Sequence, residues 1–427
     1  MKEPTVKAPP APVDFAQACA GRSLTLILPG PVTYDGTVYR AFRPYARLAN
    51  TLTAYFDRVT VSTQVVQPGS EGFEANDGAF YPTVEVQGLP EPLGSRHGII
   101  ANIGYQLRRG FSLLRLMTSW DIIYAFVPSF PGAIGYTANR FFFRRPIAVY
   151  LANDWEEITR YTFRWTGWRR RLLFPLYHGT LTRWERWIVR TAPLTITAGR
   201  ALLRKYDGEN QLVFEAVPLL EMTPADMLER EDTFNHNPPR LLYVGTLHPR
   251  KGLPVLFEAL ELLVTEGREF ELDIVGDGTK ERRSELEEEA RQRGIYEHIR
   301  FYGFIPSGPL LYRFYREADA FVLPTYSEGF PRVLYEALGH GLPVVASSVS
   351  GIPHLLEHER HALLVPPGQP QALARAIGRL FEDPGLRCTI IREGRNLVRP
   401  IIGRDAALQF VELCRRHLLA SDLERSA

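Results

Sequence analysis

The sequence predicts an α/β protein made of two doubly wound parallel sheets. Apolar strand-like runs alternate with amphipathic helical segments along most of the 427 residues, a pattern typical of parallel sheets covered by helices. A chain of this length suits two domains of about 200 residues each. A stretch rich in proline, acidic residues and asparagine, residues 216–239, separates the two series and is the predicted hinge.

The first domain is predicted at 22–215, after a polar, proline-rich and alanine-rich tail at 1–21 that lacks the apolar stretch of a secretory signal. Its strands are predicted at five apolar runs: Leu24–Leu28, Val59–Ser62, Asp121–Val127, Ile147–Leu151 and Leu194–Ala198. After the first strand, helical spacing puts five residues on one face, with a kink expected at Pro44: Val38, Phe42, Tyr45, Ala49 and Leu52.

The second domain is predicted at 240–395 and shows the same alternation. Its strands are predicted at Arg240–Val244, Glu271–Val275, Phe301–Phe304, Ala320–Leu323 and Val344–Ser347. The remaining residues, 396–427, contain an amphipathic helical pattern from Asp405 to Leu419.

Composition narrows the class of protein. A formal charge of +2 argues against a polyanionic partner such as nucleic acid for the whole chain. Three widely spaced cysteines fit a reducing cytoplasm. No apolar run reaches the roughly 18 residues needed to span a bilayer. We therefore expect a cytoplasmic protein.

The most informative segment is residues 327–336, with the sequence SEGFPRVLYE. It follows a predicted buried strand and places Glu328 and Glu336 on either side of a Gly-Phe-Pro turn. Pro331 suits the first turn of a helix, whose free N–H groups favour a diphosphate. The carboxylates would accept hydrogen bonds from hydroxyls on either side, so a nucleotide sugar fits. The alternative is that both glutamates are solvated surface residues, because this spacing is common by chance.

Residues 301–367 resemble the donor-binding half of retaining GT-B glycosyltransferases, specifically glycosyltransferase family 4. In that family the first glutamate and the Gly-Phe-Pro turn face the transferred sugar, and the second glutamate binds the ribose. The resemblance marks the following donor-binding positions: Glu328, Gly329, Phe330, Pro331, Val333 and Glu336. It implies two Rossmann-like domains facing a cleft, with the C-terminal helix crossing back to the first domain. It also implies a nucleotide-sugar donor and retention of anomeric configuration.

A second candidate loop, residues 245–252 (GTLHPRKG), joins a predicted strand to a helix. Loops at this edge of a parallel sheet hold ligands, and Arg250 and Lys251 could neutralise a diphosphate as the sugar leaves. The family pattern is Gly-Arg-Leu-x3-Lys-Gly, so Gly245 and Lys251 match it, and Thr246 replaces its arginine. We predict that Arg250 supplies that charge. The alternative is two solvated cations on a surface loop.

Two further glycine loops carry weaker signals. The run Val275-Gly276-Asp277-Gly278 ends a predicted strand, at a place where the family has a similar sequence. Gly30 and Gly36 lie in the exit loop of the first strand, and the resemblance suggests that Gly36 lets backbone approach the donor diphosphate. Simple loop flexibility is the alternative for both glycines.

The acceptor is predicted to bind mainly to the first domain. Asp154 follows the strand that ends at Leu151 and is our candidate for a residue that contacts sugar or acceptor, with an ordinary surface loop as the alternative. The chain has no Asp-x-Asp metal clamp, so we expect metal-independent transfer and no cofactor. His354, His358 and His361 have a spacing that could gather around a metal, but the bracketing prolines leave too short a helix, and a metal site is not predicted.

Residues 160–190 contain eight arginines and four of the six tryptophans, with almost no acid. Indoles prefer the headgroup zone and arginine pairs with anionic lipid. The segment around Arg169-Arg170-Arg171 is therefore a candidate surface for the inner face of the cytoplasmic membrane. An Arg-rich acceptor wall or ordinary helix surface is an equal alternative, and nothing else supports nucleic-acid binding.

The sequence thus predicts a retaining hexosyltransferase that moves a sugar from a nucleotide sugar to a glycan, lipid-linked or small-molecule acceptor, in cell-envelope or polysaccharide synthesis. A catalytic role is predicted for Glu328, Lys251, Arg250 and Asp154. Two alternatives stay open: a non-catalytic GT-B-like scaffold that binds a nucleotide or glycan, and a GT-B epimerase that acts on the nucleotide sugar itself.

Overall fold

A computed structural model describes residue 19 and residues 21–67, 77–90, 99–156, 159, 167–210, 212–328 and 331–420. In 99–107 and 167–173 only the backbone is described. The predicted tail at 1–21 lies almost wholly outside the described residues, as do Gly329 and Phe330.

The first domain is built on a ten-stranded sheet. Its strands are β1 (Ser23–Ile27), β2 (Val32–Tyr34), β3 (Tyr39–Ala41), β4 (Arg58–Val66), β5 (Gly78–Ala79), β6 (Val84–Leu89), β7 (Ile122–Val127), β8 (Ile147–Leu151), β9 (Thr195–Thr197) and β10 (Val213–Glu215). They lie in the order β10-β9-β8-β7-β1-β4-β2-β3-β5, with β6 beside β4. The chain leaves β1 towards β4 and later returns to β7 on its other side, so the switch point of this sheet lies between β1 and β7.

Five helices of this domain are described: α1 (Arg43–Leu52), α2 (Ile99–Leu116), α3 (Phe130–Ala138), α4 (Gly167–Thr191) and α5 (Arg200–Lys205). The central strands β1, β7 and β8 are buried along their whole length, as expected for parallel strands covered on both faces. Ser129 begins α3 by accepting a hydrogen bond at Oγ from the backbone N–H of Gly132 at 3.0 Å.

The second domain has an all-parallel, six-stranded sheet: β11 (Arg240–Val244), β12 (Glu271–Val275), β13 (Ile299–Gly303), β14 (Ala320–Leu323), β15 (Val344–Ser347) and β16 (Leu363–Val365). Its helices are α6 (Leu253–Thr265), α7 (Lys280–Gln292), α8 (Pro309–Glu317), α9 (Arg332–Gly339), α10 (Ile352–Leu355), α11 (Pro370–Glu382) and α12 (Pro384–Val398). The strand order is β13-β12-β11-β14-β15-β16. The switch point of this sheet therefore lies between β11 and β14, which pair in parallel.

The final helix, α13 (Ala406–His417), packs on the first domain rather than the second. The Phe410 ring stacks on Tyr124 of β7 with ring centroids 4.1 Å apart. Gln409 fixes the crossing by accepting from the N–H of Val217 at 2.7 Å and donating to the carbonyl of Glu215 at 2.8 Å. The predicted fold class, including this returning helix, is confirmed.

Local structure after β1 differs from the prediction. The predicted helix includes Val38 and Phe42, but Val38 lies in the turn between β2 and β3, and Phe42 precedes α1, which begins only at Arg43. Pro44 does not kink the helix, because it lies in the first turn, where its missing N–H would be unpaired in any residue. The predicted strand at Phe301–Phe304 begins two residues earlier, at Ile299.

Candidate functional site

The loop after β11 holds Lys251 close to the loop after β14. A single 3-10 turn, Pro249–Lys251, begins at His248, whose side chain accepts from the N–H of Arg250. Gly252 then adopts a φ of 74° and starts α6. A Cβ at this position would lie 2.0 Å from the carbonyl oxygen of Pro324, so only glycine allows the two loops to approach this closely.

Lys251 and Glu328 meet across this contact. Lys251 Nζ donates to Glu328 Oε1 at 2.5 Å, and the two side chains are only 12% and 7% exposed. Burial lowers the pKa of the Lys251 ammonium, and the charge of Glu328 opposes that change. The predicted phosphate-binding lysine and the predicted sugar-facing carboxylate therefore form one buried ion pair at the switch point of the second sheet.

Arg250 lies at the edge of the same cluster. Its Nη1 donates to the carbonyl of Ser327 at 3.0 Å and lies 3.9 Å from Glu328 Oε2. The carbonyl of Arg250 in turn accepts from the N–H of Tyr326 at 2.8 Å. Two cations thus surround a single carboxylate, so a positive surplus is left to attract an anionic ligand.

Glu336 is buried in α9, with 5% of its surface exposed. The hydroxyl of Tyr315, on α8, donates to Glu336 Oε2 at 2.9 Å. Burial raises the pKa of the Glu336 carboxyl, while the hydrogen bond and the nearby charge of Arg332 act in the opposite direction. Glu336 is therefore a positioned buried carboxyl rather than the exposed helix residue of the alternative interpretation.

Arg332, which the sequence analysis did not single out, connects the two halves of the site. It is the first residue of α9, and its charge acts on both Lys251 and Glu336. Its guanidinium also lies over the ring of Phe42, 4.7 Å from the centroid, and so contacts the first domain. The sequence signal was its place directly after the Gly-Phe-Pro turn.

Two glycine loops lie side by side at the same edge of the sheet. The N–H of Gly245 donates to the carbonyl of Val275 at 2.9 Å. A Cβ on Gly276 would lie 1.9 Å from the carbonyl oxygen of Gly245. The Val-Gly-Asp-Gly turn thus has a structural reason for its first glycine, namely close approach to the predicted donor loop.

The remaining predicted donor positions are less centrally placed. Pro331 precedes α9, and Val333 is half-buried against the second core. Gly36 lies at the exposed tip of the hairpin between β2 and β3, with a φ of 94°. The donor-binding roles of these positions stay predictions.

In the first domain, Asp154 does not stand alone. Lys205 Nζ donates to Asp154 Oδ2 at 2.8 Å. The neighbouring Glu185 is fully buried, accepts from the N–H of Trp155 at 2.8 Å and from the hydroxyl of Tyr206, and its pKa is raised by burial to about 7. Asp154 is thus held beside a rigid buried network at the carboxyl end of β8.

The three histidines whose spacing could have gathered around a metal contact separate partners instead. His354 Nδ1 lies 3.1 Å from Arg204 Nη1, and the Nδ1 atoms of His358 and His361 accept from the backbone N–H groups of Leu364 and Glu357. Across the described part of the chain, no group of three or more potential His, Cys, Asp or Glu ligands is arranged around a metal position.

The segment 160–190, which is rich in arginine and tryptophan, is only partly described, and the side chains of Arg169, Arg170 and Arg171 lie outside the described atoms. Two of its tryptophans pack inward on the first domain. Trp184 stacks on Trp155 at 5.4 Å and donates from Nε1 to Thr137, and Trp187 stacks on Phe141 at 6.0 Å. These two indoles are half-buried and serve packing. None of the helices in the described ranges has the length and hydropathy of a membrane span.

The residues of this site lie in a segment that matches a known protein family. The family model for glycosyl transferases group 1 matches residues 226–397. This segment, which contains the site, is therefore similar to group 1 glycosyl transferases. Among curated proteins, the amylovoran biosynthesis glycosyltransferase AmsK of Erwinia amylovora is 39% identical over 153 residues, covering 34% of this chain and 37% of AmsK. The chain spans 37%, 39% and 59% of the lengths of the first curated relatives it matches.

Solved structures match the second domain together with the first domain. Sucrose-phosphate synthase from Thermosynechococcus elongatus has a TM-score of 0.71 at 22% identity, covering 94% of this chain and 100% of that one. Anabaena HepE in complex with UDP-glucose has a TM-score of 0.62 at 17% identity, covering 94% and 100%. The chain has the GT-B fold.

Proposed function

We propose that this protein is a glycosyltransferase that moves a sugar from a nucleotide-sugar donor to a glycan, lipid-linked or small-molecule acceptor. The observation that carries the proposal is the buried pair of Lys251 and Glu328, with Arg250 beside it, at the switch point of the second sheet. Ligands of open α/β sheets bind at such points. The similarity to group 1 glycosyl transferases supports the same chemistry.

The donor diphosphate is assigned to Lys251 and Arg250, whose charges would stabilise the negative charge that develops as the sugar leaves. Glu328 would accept hydrogen bonds from the transferred sugar, and Glu336 from the ribose, as the resemblance to family 4 suggests. The pairing of Lys251 with Glu328 supports this order, because it places the phosphate-binding cation directly beside the sugar-facing carboxylate.

The resemblance to family 4 also carries the proposal of retention. The bond from the anomeric carbon to the diphosphate breaks, and the bond to the acceptor oxygen forms on the same face. The acceptor proton passes to an oxygen of the leaving diphosphate. NMR of the product's anomeric proton tests this directly, since an inverted product would contradict it.

We assign the acceptor to the first domain at 22–215 and the donor to 240–395, with 216–239 as the hinge and 396–427 returning to the first domain. Asp154 is the proposed acceptor-side residue. The name of AmsK, a biosynthetic enzyme of amylovoran, supports polysaccharide or cell-envelope synthesis as the setting. Peripheral attachment of residues 160–190 to an anionic membrane belongs to this proposal and rests on their arginines, since Trp184 and Trp187 pack inward.

A screen of nucleotide sugars by thermal shift, followed by transfer assays with the donor that stabilises the protein, tests the proposal. Donor-dependent transfer is expected to need an acceptor. Binding without turnover would favour the scaffold alternative. Conversion of the donor sugar without any acceptor would favour the epimerase.

A further inference from the structure

A ligand-sized space lies in the first domain, at the switch point between β1 and β7. It is a cavity of about 250 Å³ at the carboxyl ends of these strands, between α2, α3 and α4. Pro29 follows β1 and Pro128 follows β7, and both line it. Both sheets of this GT-B protein thus have a candidate ligand site at the position where open α/β sheets bind their ligands.

The lining of this cavity combines one cation with aromatic and apolar walls. Arg109 of α2 is the single charged residue among the lining residues, which otherwise include Phe130, Trp155, Tyr177 and Leu181. The Phe130 and Trp155 rings lie with centroids 5.8 Å apart. A guanidinium carries five N–H donors in a planar fork, so Arg109 can keep a protein neighbour and still bind a phosphate.

Each of the two helices that flank the cavity also carries an exposed apolar side chain. Phe111, two residues after Arg109 on α2, is 67% exposed. Leu176, directly before Tyr177 on α4, is 69% exposed. A ligand with its anionic group at Arg109 would find apolar surface along the cavity walls.

We infer that this cavity binds the acceptor through a phosphate or diphosphate ester attached to a lipid chain. The inference rests on the proposed glycosyltransferase function and narrows its acceptor to a lipid-linked one. The guanidinium holds the phosphate, and the aromatic walls contact the first part of the lipid. Trp155 lines the cavity and directly follows Asp154, the proposed acceptor-side residue, in the chain.

Decyl phosphate, used below its micelle concentration, probes the site by titration calorimetry on the full chain. We expect saturable binding that weakens about tenfold in Arg109→Gln, a change of about 1.4 kcal/mol that is close to the lower end of the range for a charged hydrogen bond. Arg108→Gln is the matched control, because Arg108 is the exposed neighbour on the same helix. Tyr177→Ala tests the aromatic wall of the cavity and is expected to weaken the binding of decyl phosphate as well.

Any of the following results would overturn the inference: no saturable binding, equal losses in Arg109→Gln and Arg108→Gln, or inorganic phosphate binding as tightly as decyl phosphate. Decyl maltoside binding as well as decyl phosphate would also overturn it, since the cavity would then hold a neutral glycan or alkyl chain. Nucleoside diphosphate binding is measured on the same samples. If the protein binds decyl phosphate but no nucleoside diphosphate, the proposed function is contradicted. If it binds a nucleoside diphosphate but no decyl phosphate, only this inference is contradicted.

Discussion

Lys251 Nζ lies 2.5 Å from Glu328 Oε1, although the two residues are 77 positions apart in the chain. They come from the loops after β11 and β14, the two strands that flank the switch point of the second sheet. A buried ion pair is weak evidence for stability, because desolvation offsets most of the attraction. Its position at the ligand-binding edge makes function the better explanation, and each residue can be tested separately.

Replacement of Lys251 by alanine is expected to abolish most turnover and to weaken binding of a nucleoside diphosphate. The reason is that Lys251 would neutralise a leaving group that gains charge in the transition state. Steady-state kinetics and calorimetry measure the two effects. Lys280→Ala removes an exposed lysine of the same domain and should change neither. Near-normal transfer by Lys251→Ala would favour the scaffold alternative.

Alanine substitutions of Glu336 and Glu328 are expected to have different effects. Glu336→Ala should weaken nucleoside diphosphate binding by roughly 1–3 kcal/mol, since ribose hydroxyls lose a carboxylate acceptor. Glu328→Ala should lower turnover more than affinity. Tyr315→Phe is the control for Glu336, because it removes only the hydroxyl that donates to this carboxylate. If loss of Glu328 abolishes nucleotide binding while loss of Glu336 has no effect, the two assignments are wrong.

Gly252→Ala is expected to unfold more easily and to lose nucleotide binding. A Cβ there would meet the Pro324 carbonyl at 2.0 Å and push apart the loops that carry Lys251 and Glu328. Gly267→Ala is a matched control, because Gly267 has nearly the same φ, 75°, but open space around its Cβ. Both variants share the cost of a left-handed residue, so the difference between their melting temperatures measures the clash. Equal destabilisation would contradict the proposed contact.

The buried carboxyl of Glu185 should make folding stability fall as pH rises. Burial raises its pKa from 4.5 to about 7 in the folded protein. Between these values the folded state holds the proton more tightly than the unfolded state, so this stabilisation is complete below about pH 4.5 and is lost as pH rises through 7. Glu185→Gln should remove roughly 3 kcal/mol of this pH dependence.

Urea unfolding at several pH values between 4.5 and 8 measures the effect of Glu185. Glu231→Gln, at an exposed position, should leave the pH profile of the parent protein unchanged. An unaltered profile in Glu185→Gln would show that another group controls the pH dependence.

Vesicle sedimentation tests the arginines of the 160–190 segment. The protein should bind vesicles that contain anionic lipid and dissociate as salt rises, since charge attraction is screened over ~10 Å at 0.1 M salt. Each basic residue near the surface contributes about 1 kcal/mol, so replacing Arg169, Arg170 and Arg171 by glutamine should release it. Replacing three exposed arginines of the second domain, Arg313, Arg316 and Arg375, should not. Equal binding to neutral vesicles would exclude this electrostatic attachment.

The fold could be predicted from the sequence alone because the features that indicate it lie within short stretches of the chain. Buried parallel strands give continuous apolar runs, and helices begin and end at characteristic prolines and glycines. The ten predicted strands are all present, five with the predicted bounds and five with shifted ends. Six strands were missed. Five of them, β2, β3, β5, β10 and β16, have only two or three residues, which give no readable alternation, and the sixth is the six-residue strand β6. Pro44 was misread for a related reason, since proline suits a helix start as well as a kink.

The candidate site was predictable as a set of residues, but its arrangement was not. Glycine-flanked loops and the spacing of Glu328 and Glu336 marked the edge of the second sheet. Only the tertiary structure paired Lys251 with Glu328, turned Glu336 towards Tyr315, and brought Arg332 against Phe42. These contacts depend on which strands are neighbours at the switch point and on how closely two loops approach. Strand order and interdomain packing are set by the burial of the whole chain, so no local pattern of residues records them.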